Sequence, residues 1–209
     1  MTLLENEVEL VTAVCTRLRA LAEQGKQRGA TPLTVLELGC GTGKLALHLH
    51  ELLPEAAVIG IDPDRSKVAK AQQHSTALSF SVQSAEQLGV KPRVVDVVVS
   101  LKALHEFPRP QAALKEAYRV LRVEGRIYLI DWIRGVPATT GHRHAPKYFF
   151  PERLTDVLVT TGFTGVTLTA DRAAGLMLAE AAKHVARHAG AVGVAGGDSH
   201  GRGDGVPRV

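Results

Sequence analysis

The chain has few of the residues on which several common protein classes depend. Its 209 residues include only two cysteines, Cys15 and Cys40, which cannot build a disulfide framework or a four-cysteine zinc site. No apolar run approaches the roughly 18 residues of a membrane span, and the long candidate 94–101 is interrupted by Asp96. The remaining composition is that of an ordinary globular protein, and its length predicts one domain without a membrane segment.

The charge balance is also mild. The sequence holds 25 Lys and Arg against 21 Asp and Glu, a formal net charge of +4, and the basic residues are scattered. Such a charge permits nucleic-acid binding but does not favour it. The first residues carry glutamates where a signal peptide carries basic residues, which predicts a cytoplasmic protein.

The clearest local feature is the stretch 35–43, an apolar run that ends in three alternating glycines and leads into a helical pattern. A dinucleotide-binding G-x-G-x-x-G that begins at Gly39 would need a glycine where the chain has Lys44. A phosphate-binding G-x-x-x-x-G-K-[ST] would need a glycine at Leu38 and a hydroxyl at Leu45. The stretch is therefore a strand, a tight turn and a helix start of a different kind.

Apolar periodicity along the chain predicts helices that alternate with strands. A helix is predicted over 2–24, begun by a Thr2–Glu5 capping box and ended at Gly25, and it either packs on the core or covers the site. Further helices are predicted at 44–53, 65–74, 111–122 and 151–161, and strands at 33–38, 58–61, 78–82, 94–99, 126–131, 163–169 and 176–182. This alternation implies an α/β doubly wound, seven-stranded, mostly parallel sheet with an antiparallel last strand. The last strand could instead begin a helix that runs to His188.

The letters E-L-G-C-G-T-G at 37–43 resemble the first motif of class I S-adenosylmethionine-dependent methyltransferases of the small-molecule type, such as methyltransferase type 11 and the ubiquinone-biosynthesis methylases. The resemblance implies a Rossmann-like methyltransferase domain over 31–186, with S-adenosylmethionine as cofactor and S-adenosylhomocysteine as product. It also implies that the turn holds the methionine part of the cofactor. The contacts expected there are Glu37, Gly39, Cys40, Gly41 and Gly43.

Asp62 ends the second predicted strand and is followed by Pro63. The pair matches the ribose-binding position of the family, since one carboxylate can accept hydrogen bonds from both ribose hydroxyls. Alternatively, Asp62 or Asp64 caps the helix that begins after Pro63.

The third predicted strand is followed by Ser84, Ala85 and Glu86, where the family commonly has Asp-Ala-Glu beside the adenine. Serine replaces the aspartate, so its hydroxyl can accept a hydrogen bond but carries no charge. The resemblance assigns the Ala85 N–H to the adenine ring. Ser100, after the fourth strand, is expected to line the reactive end of the cofactor.

The stretch 105–108 resembles the Leu-His-His-Phe segment of the family, with Glu106 in place of the second histidine. His105 is the candidate catalytic residue near the transferred methyl group. It suits a general base because an unperturbed imidazole titrates near neutral pH. A structural histidine bonded to a backbone carbonyl is the alternative.

The stretch 132–147 has no periodicity and is long for a connection. His142 and His144 could bind a metal together with His105, but no further ligand accompanies them, so a solvated loop and no metal are expected. Trp132 and the aromatic residues at 148–150 either wall a substrate pocket or pack the next helix.

These observations predict an enzyme that moves a methyl group to a small-molecule acceptor by in-line displacement in a closed crevice. The expected units are an N-terminal helix at 1–30, the methyltransferase domain at 31–186 and a flexible glycine-rich tail at 187–209.

Two cysteines do not suit arsenic methylation, and the tetrad of DNA base aminomethylases is missing after the fourth strand. The alternatives are a non-catalytic module that binds S-adenosylmethionine or regulates a partner, and a nicotinamide oxidoreductase. The sequence leaves the oligomeric state open, a homodimer included.

Overall fold

The computed structural model describes residues 5–184, and within this range helices alternate with strands as the periodicity predicts. The α-helices are α1 Glu5–Gln27, α2 Lys44–Leu52, α3 Arg65–His74, α4 Pro110–Val120 and α5 Pro151–Thr161. The strands are β1 Thr34–Leu38, β2 Ala57–Asp62, β3 Ser79–Val82, β4 Val95–Leu101, β5 Leu121–Trp132, β6 Thr164–Asp171 and β7 Leu176–Ala182. Short 3-10 helices occur at Leu104–Glu106, Pro137–Thr139 and Ala145–Lys147.

The strands form one sheet in the order β3-β2-β1-β4-β5-β7-β6. The first five strands of this order are parallel, while β7 lies between β5 and β6 and runs antiparallel to both. The prediction of a doubly wound, mostly parallel seven-stranded sheet with an antiparallel last strand is confirmed. The chain order reverses between β1 and β4, and ligands of such sheets bind at the carboxyl ends of the strands beside this point.

The helices cover both faces of the sheet and create two apolar cores. Val97 and Val99 of β4 pack with the cluster that includes α1, α2 and α3, whereas Val98 packs with the cluster that includes α4 and α5. The valine-rich run is thus buried on both faces, as β-branched strands of parallel sheets usually are. The central strands are held rigidly, which fixes the positions of the residues at their carboxyl ends.

The boundary between α4 and β5 differs from the prediction. The helix ends at Val120 rather than residue 122, and the strand begins at Leu121 rather than near residue 126. The buried Lys183 explains the early end, because its Nζ donates to the carbonyl oxygens of Tyr118 at 2.6 Å and Leu121 at 2.8 Å. Carbonyl groups that lack a partner where the helix ends are therefore bonded by a distant residue.

The N-terminal helix α1 begins at Glu5 in the described residues, so the predicted Thr2 cap lies outside them, as does the predicted tail at 187–209. Val11 and Leu18 of α1 are fully buried in the core that β5 and β7 share. No helix within residues 5–184 is long and apolar enough to cross a membrane.

Candidate functional site

The glycine turn after β1 brings bare backbone to the carboxyl edge of the sheet. Gly41 and Gly43 have positive φ angles of 54° and 84°, which side-chain-bearing residues rarely adopt. A Cβ on Gly43 would lie 2.9 Å from the ring of Phe80, whereas a Cβ on Gly41 would meet nothing within 4 Å. The turn is therefore packed against the core at one end and faces open space at Gly41.

Asp62, at the end of β2, fastens this turn. Its Oδ2 accepts a hydrogen bond from the Gly41 N–H at 2.9 Å, and its Oδ1 accepts from the Asp64 N–H at the same distance. The cap of α3 is instead Asp64, whose Oδ1 accepts from the Ser66 and Lys67 N–H groups. Because a carboxylate oxygen has two lone pairs, each oxygen of Asp62 keeps an acceptor site for a ligand.

Glu37 lies inside the protein at the end of β1. Only 2% of it is exposed, and its Oε2 accepts from the Ala46 N–H in the first turn of α2 at 2.9 Å. Burial and the charge of Asp62 raise its pKa to about 8, and the Ala46 hydrogen bond opposes this shift. The carboxyl group ties β1 to the start of α2.

Other residues expected in the cofactor site lie around the turn. Cys40 is a buried thiol whose pKa is raised by burial, and its N–H donates to the carbonyl of Ile61 at 2.8 Å. Ser100 is also buried, and its hydroxyl donates to the Leu38 carbonyl at 3.0 Å. Pro63 is exposed next to Asp62. Cys40 and Ser100 therefore bind the strand ends to each other.

The three residues after β3 differ in burial and in their hydrogen-bond partners. Ser84 is exposed and its hydroxyl accepts from the Glu86 N–H at 3.2 Å, while Ala85 is buried. Both oxygens of Glu86 are engaged by Arg109, one by the backbone N–H at 2.7 Å and the other by Nε at 2.9 Å. Glu86 thus holds the segment before α4, and Ser84 is the more accessible of the two polar side chains.

His105 is held by a buried carboxylate that the sequence did not assign to it. Its Nδ1 lies 2.6 Å from Oδ1 of Asp131, and its backbone N–H donates to Oδ2 at 3.0 Å. His105 is 6% exposed and Asp131 is 1% exposed. Since a carboxylate can only accept, Nδ1 carries the proton of this bond and Nε2 points to the other side.

The only sequence signal for Asp131 is an acid at the carboxyl end of an apolar strand. Its partner cannot be read from the chain, because 26 residues separate it from His105.

Aromatic residues of the irregular loop cover His105. The Tyr148 ring meets the imidazole edge-on with centroids 4.9 Å apart, and Trp132 stacks on Tyr148 at 6.0 Å. Burial and the charge of Asp131 raise the pKa of Tyr148. Phe150 instead lies under the guanidinium of Arg134, 5.1 Å away.

The two loop histidines have separate partners. His142 Nδ1 lies 3.1 Å from the Tyr148 hydroxyl, and His144 Nδ1 lies 2.8 Å from Oε1 of Glu106. Within residues 5–184 no three His, Cys, Asp or Glu side chains are grouped as metal ligands.

Contacts at Gly39 and at Lys102 join the glycine turn, the histidine segment and α1. A Cβ on Gly39 would clash with Ala103, and the ring of Phe107 would lie 3.4 Å from it. Lys102 has a positive φ of 50°, forms an ion pair with the buried Glu7 of α1 and places its Nζ 5.5 Å over the Trp132 ring. The turn, the segment that carries His105 and the start of α1 therefore lie next to one another.

Comparison with known proteins agrees with this geometry. Residues 36–129 match a family model described as a methyltransferase domain. The malonyl-[acyl-carrier protein] O-methyltransferase of Hahella chejuensis is 29% identical over 148 residues, which are 66% of this chain and 53% of that protein. The chain spans about half the length of such curated relatives.

Two solved structures share the fold. The [4+2]-cyclase SpnF has a TM-score of 0.65 at 21% identity, with 84% of this chain and 83% of that chain covered. Phosphoethanolamine N-methyltransferase 2 of Haemonchus contortus, solved with S-adenosyl-L-methionine, has a TM-score of 0.64 at 14% identity and covers 74% of this chain and 49% of its own. Residues 36–129 are therefore similar to a methyltransferase domain, and the chain shares the fold of both solved structures.

Proposed function

We propose that this protein transfers a methyl group from S-adenosylmethionine to a small-molecule acceptor. The observation that carries the proposal is the juxtaposition, at one edge of the sheet, of a carboxylate-fastened glycine turn and a histidine backed by a buried aspartate. The first feature suits the binding of a nucleoside with an amino-acid tail, and the second suits the removal of a proton from an acceptor.

The residues at the turn fit the cofactor. Open space beside the bare backbone of Gly41 admits a ligand, and the N–H groups at the start of α2 attract a carboxylate. The free lone pairs of Asp62 suit the two ribose hydroxyls. The proposed cofactor residues are Glu37, Gly39, Cys40, Gly41, Gly43, Asp62, Pro63, Ser84, Ala85, Glu86 and Ser100.

S-adenosylmethionine supplies an electrophilic methyl group, so the protein has to align the acceptor and take its proton. His105 accepts that proton at Nε2, because Nδ1 is occupied by Asp131. Asp131 keeps the imidazole in this tautomer and stabilises the imidazolium. Trp132, Tyr148 and the first turns of α1 exclude water from the acceptor.

The test is turnover with labelled S-adenosylmethionine and a panel of hydroxyl, amine and thiol acceptors, followed by the appearance of S-adenosylhomocysteine. The proposal expects acceptor-dependent product. Binding of the cofactor without product from any acceptor would support the non-catalytic module instead. Binding of NADH in preference to both sulfur nucleosides would make the protein an oxidoreductase.

A further inference from the structure

Glu106 lies at the centre of a group of cationic or protonatable side chains over the site. Its Oε1 is 3.2 Å from Nε2 of His105 and 2.8 Å from Nδ1 of His144, and its Oε2 is 3.3 Å from Nζ of Lys147. His144 and Lys147 belong to the irregular loop, whereas Glu106 and His105 follow β4. One carboxylate thus joins the candidate base to the segment that covers it.

The contact with His105 is at the nitrogen that the proposed reaction needs. Asp131 occupies Nδ1, so Nε2 is the remaining position for an acceptor proton. Because Nδ1 already carries a proton and a carboxylate can only accept, Glu106 hydrogen-bonds Nε2 while the imidazole is protonated on both nitrogens, and Nε2 becomes a base when it gives this second proton to solvent. An acceptor that reaches Nε2 must therefore replace Glu106 there.

Glu106 can move away from His105 and still keep its contacts with the loop. Its side chain is 43% exposed, so it can move without leaving an unpaired charge in the core. His144 and Lys147 offer it two further partners. Burial raises the pKa of Glu106, but the charges of His105, Lys147 and His144 outweigh burial and lower it, so the carboxylate stays ionised at neutral pH.

The base of the loop is held by other contacts. The Arg134 N–H donates to the Phe149 carbonyl at 2.9 Å, and Ile133 pairs with Phe149 in a β-bridge. The tip at 143–147 meets the body of the protein at Glu106, through His144 and Lys147, and at His105, whose ring centroid lies 6.4 Å from that of His144.

We infer that Glu106 is a positioning residue, which occupies the Nε2 side of His105 and ties the tip 143–147 over the site until an acceptor takes its place. This role rests on the proposed function of His105. It explains why an acid follows the histidine at a position where the family commonly has a second histidine. The groups that face Glu106 are His105, His144, Lys147 and Tyr148.

The first test is limited proteolysis of the full chain by trypsin, because Arg143 and Lys147 are cleavage sites within the tip. Cleavage there follows the open population of the loop. We expect Glu106→Gln to be cut about threefold faster and Glu106→Ala about tenfold faster than the wild type. Gln replaces the ionic hydrogen bonds to the tip with weaker neutral ones, whereas Ala removes them altogether. The control is Glu152→Gln, an exposed acid in the first turn of α5, which should be cut at the wild-type rate.

The second test is nitrogen NMR of the imidazole of His105. In Glu106→Gln the Nε2 signal should move while the Nδ1 signal stays, because Asp131 remains in place. Cutting of both Glu106 variants at the wild-type rate, or an unchanged Nε2 signal, would overturn the inference. Both measurements use the protein without acceptor, so they can fail while methyl transfer stands, and methyl transfer can fail while they succeed. Circular dichroism and equal unfolding temperatures establish that the variants are folded.

Discussion

Among single residues, His105 and its partner Asp131 matter most for the proposed proton removal. Both nitrogen positions of the ring have partners, and the buried carboxylate decides which nitrogen faces the acceptor. A histidine held in this way is oriented before a substrate arrives, which is the condition for efficient proton removal.

Replacing the carboxylate tests that orientation. Asp131→Asn can present its amide to Nδ1 and so favour the opposite tautomer, which leaves Nε2 protonated and unable to accept. We expect the turnover number to fall by about 10² or more, with unchanged affinity for S-adenosylhomocysteine in calorimetry. Asp156→Asn, an exposed change on α5, is the control. Wild-type turnover of a folded Asp131→Asn would remove the pair from the mechanism.

Asp62 and Asp64 are two carboxylates in neighbouring positions with separate tasks. Asp62→Ala should weaken S-adenosylhomocysteine binding by about 1–3 kcal/mol, because the turn loses its anchor and the ribose its acceptor. Asp64→Ala should lower the free energy of unfolding through the lost cap while cofactor affinity is kept. Calorimetry and urea unfolding of both variants separate the two effects. Equal cofactor affinity in both would contradict the assignment.

The raised pKa of Glu37 makes the free energy of unfolding depend on pH. Its pKa in the folded protein is about 8 against an ordinary 4.5, so between these values the folded state holds a proton that the unfolded state has released. The group therefore stabilises the fold fully below pH 4.5 and loses this contribution as the pH rises towards 8, by up to about 1.4 kcal/mol per pH unit.

Urea unfolding of Glu37→Gln against the wild type from pH 5 to 8 measures this contribution. The amide keeps an acceptor for the Ala46 N–H, so the difference in free energy between the two proteins should shift in favour of the variant as the pH rises. A constant difference across the range would place an ionised Glu37 in the folded protein.

Among the structural elements, the glycine turn needs residues that adopt a positive φ, and it also forms part of the proposed cofactor site. Gly41→Ala introduces a methyl group at a positive φ, which costs about 1–2 kcal/mol of stability, and fills the open space beside the backbone. Gly29→Ala has a similar φ of 68° and equally open surroundings, but it lies in the loop after α1. We expect both to lose similar stability and only Gly41→Ala to lose cofactor affinity, by about tenfold or more. Equal affinities would place the ligand elsewhere.

The elements were largely predictable from the sequence because their signals are local. Alternating and helical periodicity located the strands and helices of residues 5–184, and the bounds of α3, α5 and β7 agree with the prediction. The end of α4 was not predictable, since Lys183 at the far end of the chain bonds its last carbonyl groups. The partner of His105 was missed for the same reason, because only the sheet brings Asp131 beside it.

Across the whole molecule, the edge of the sheet formed by the carboxyl ends of the parallel strands differs from the edge formed by their amino ends. The carboxyl edge gathers the glycine turn, Asp62, His105 and the covering loop. The opposite edge has a cavity of about 800 Å³ between the end of α1, the segment before β2 and the start of β5. It contains none of the proposed site residues, and Arg122 and Asp96 on its wall bond to each other at 2.6 Å. The proposed cofactor site therefore rests on the chemistry of the carboxyl ends of the strands and not on this cavity.

A crystal structure of the full chain with S-adenosylhomocysteine tests the proposed cofactor site directly. We expect the ribose hydroxyls on Asp62, the amino-acid tail at the Gly39–Gly43 turn and the sulfur on the side of His105. A ligand bound in the cavity at the opposite edge, or a ribose away from Asp62, would contradict this placement.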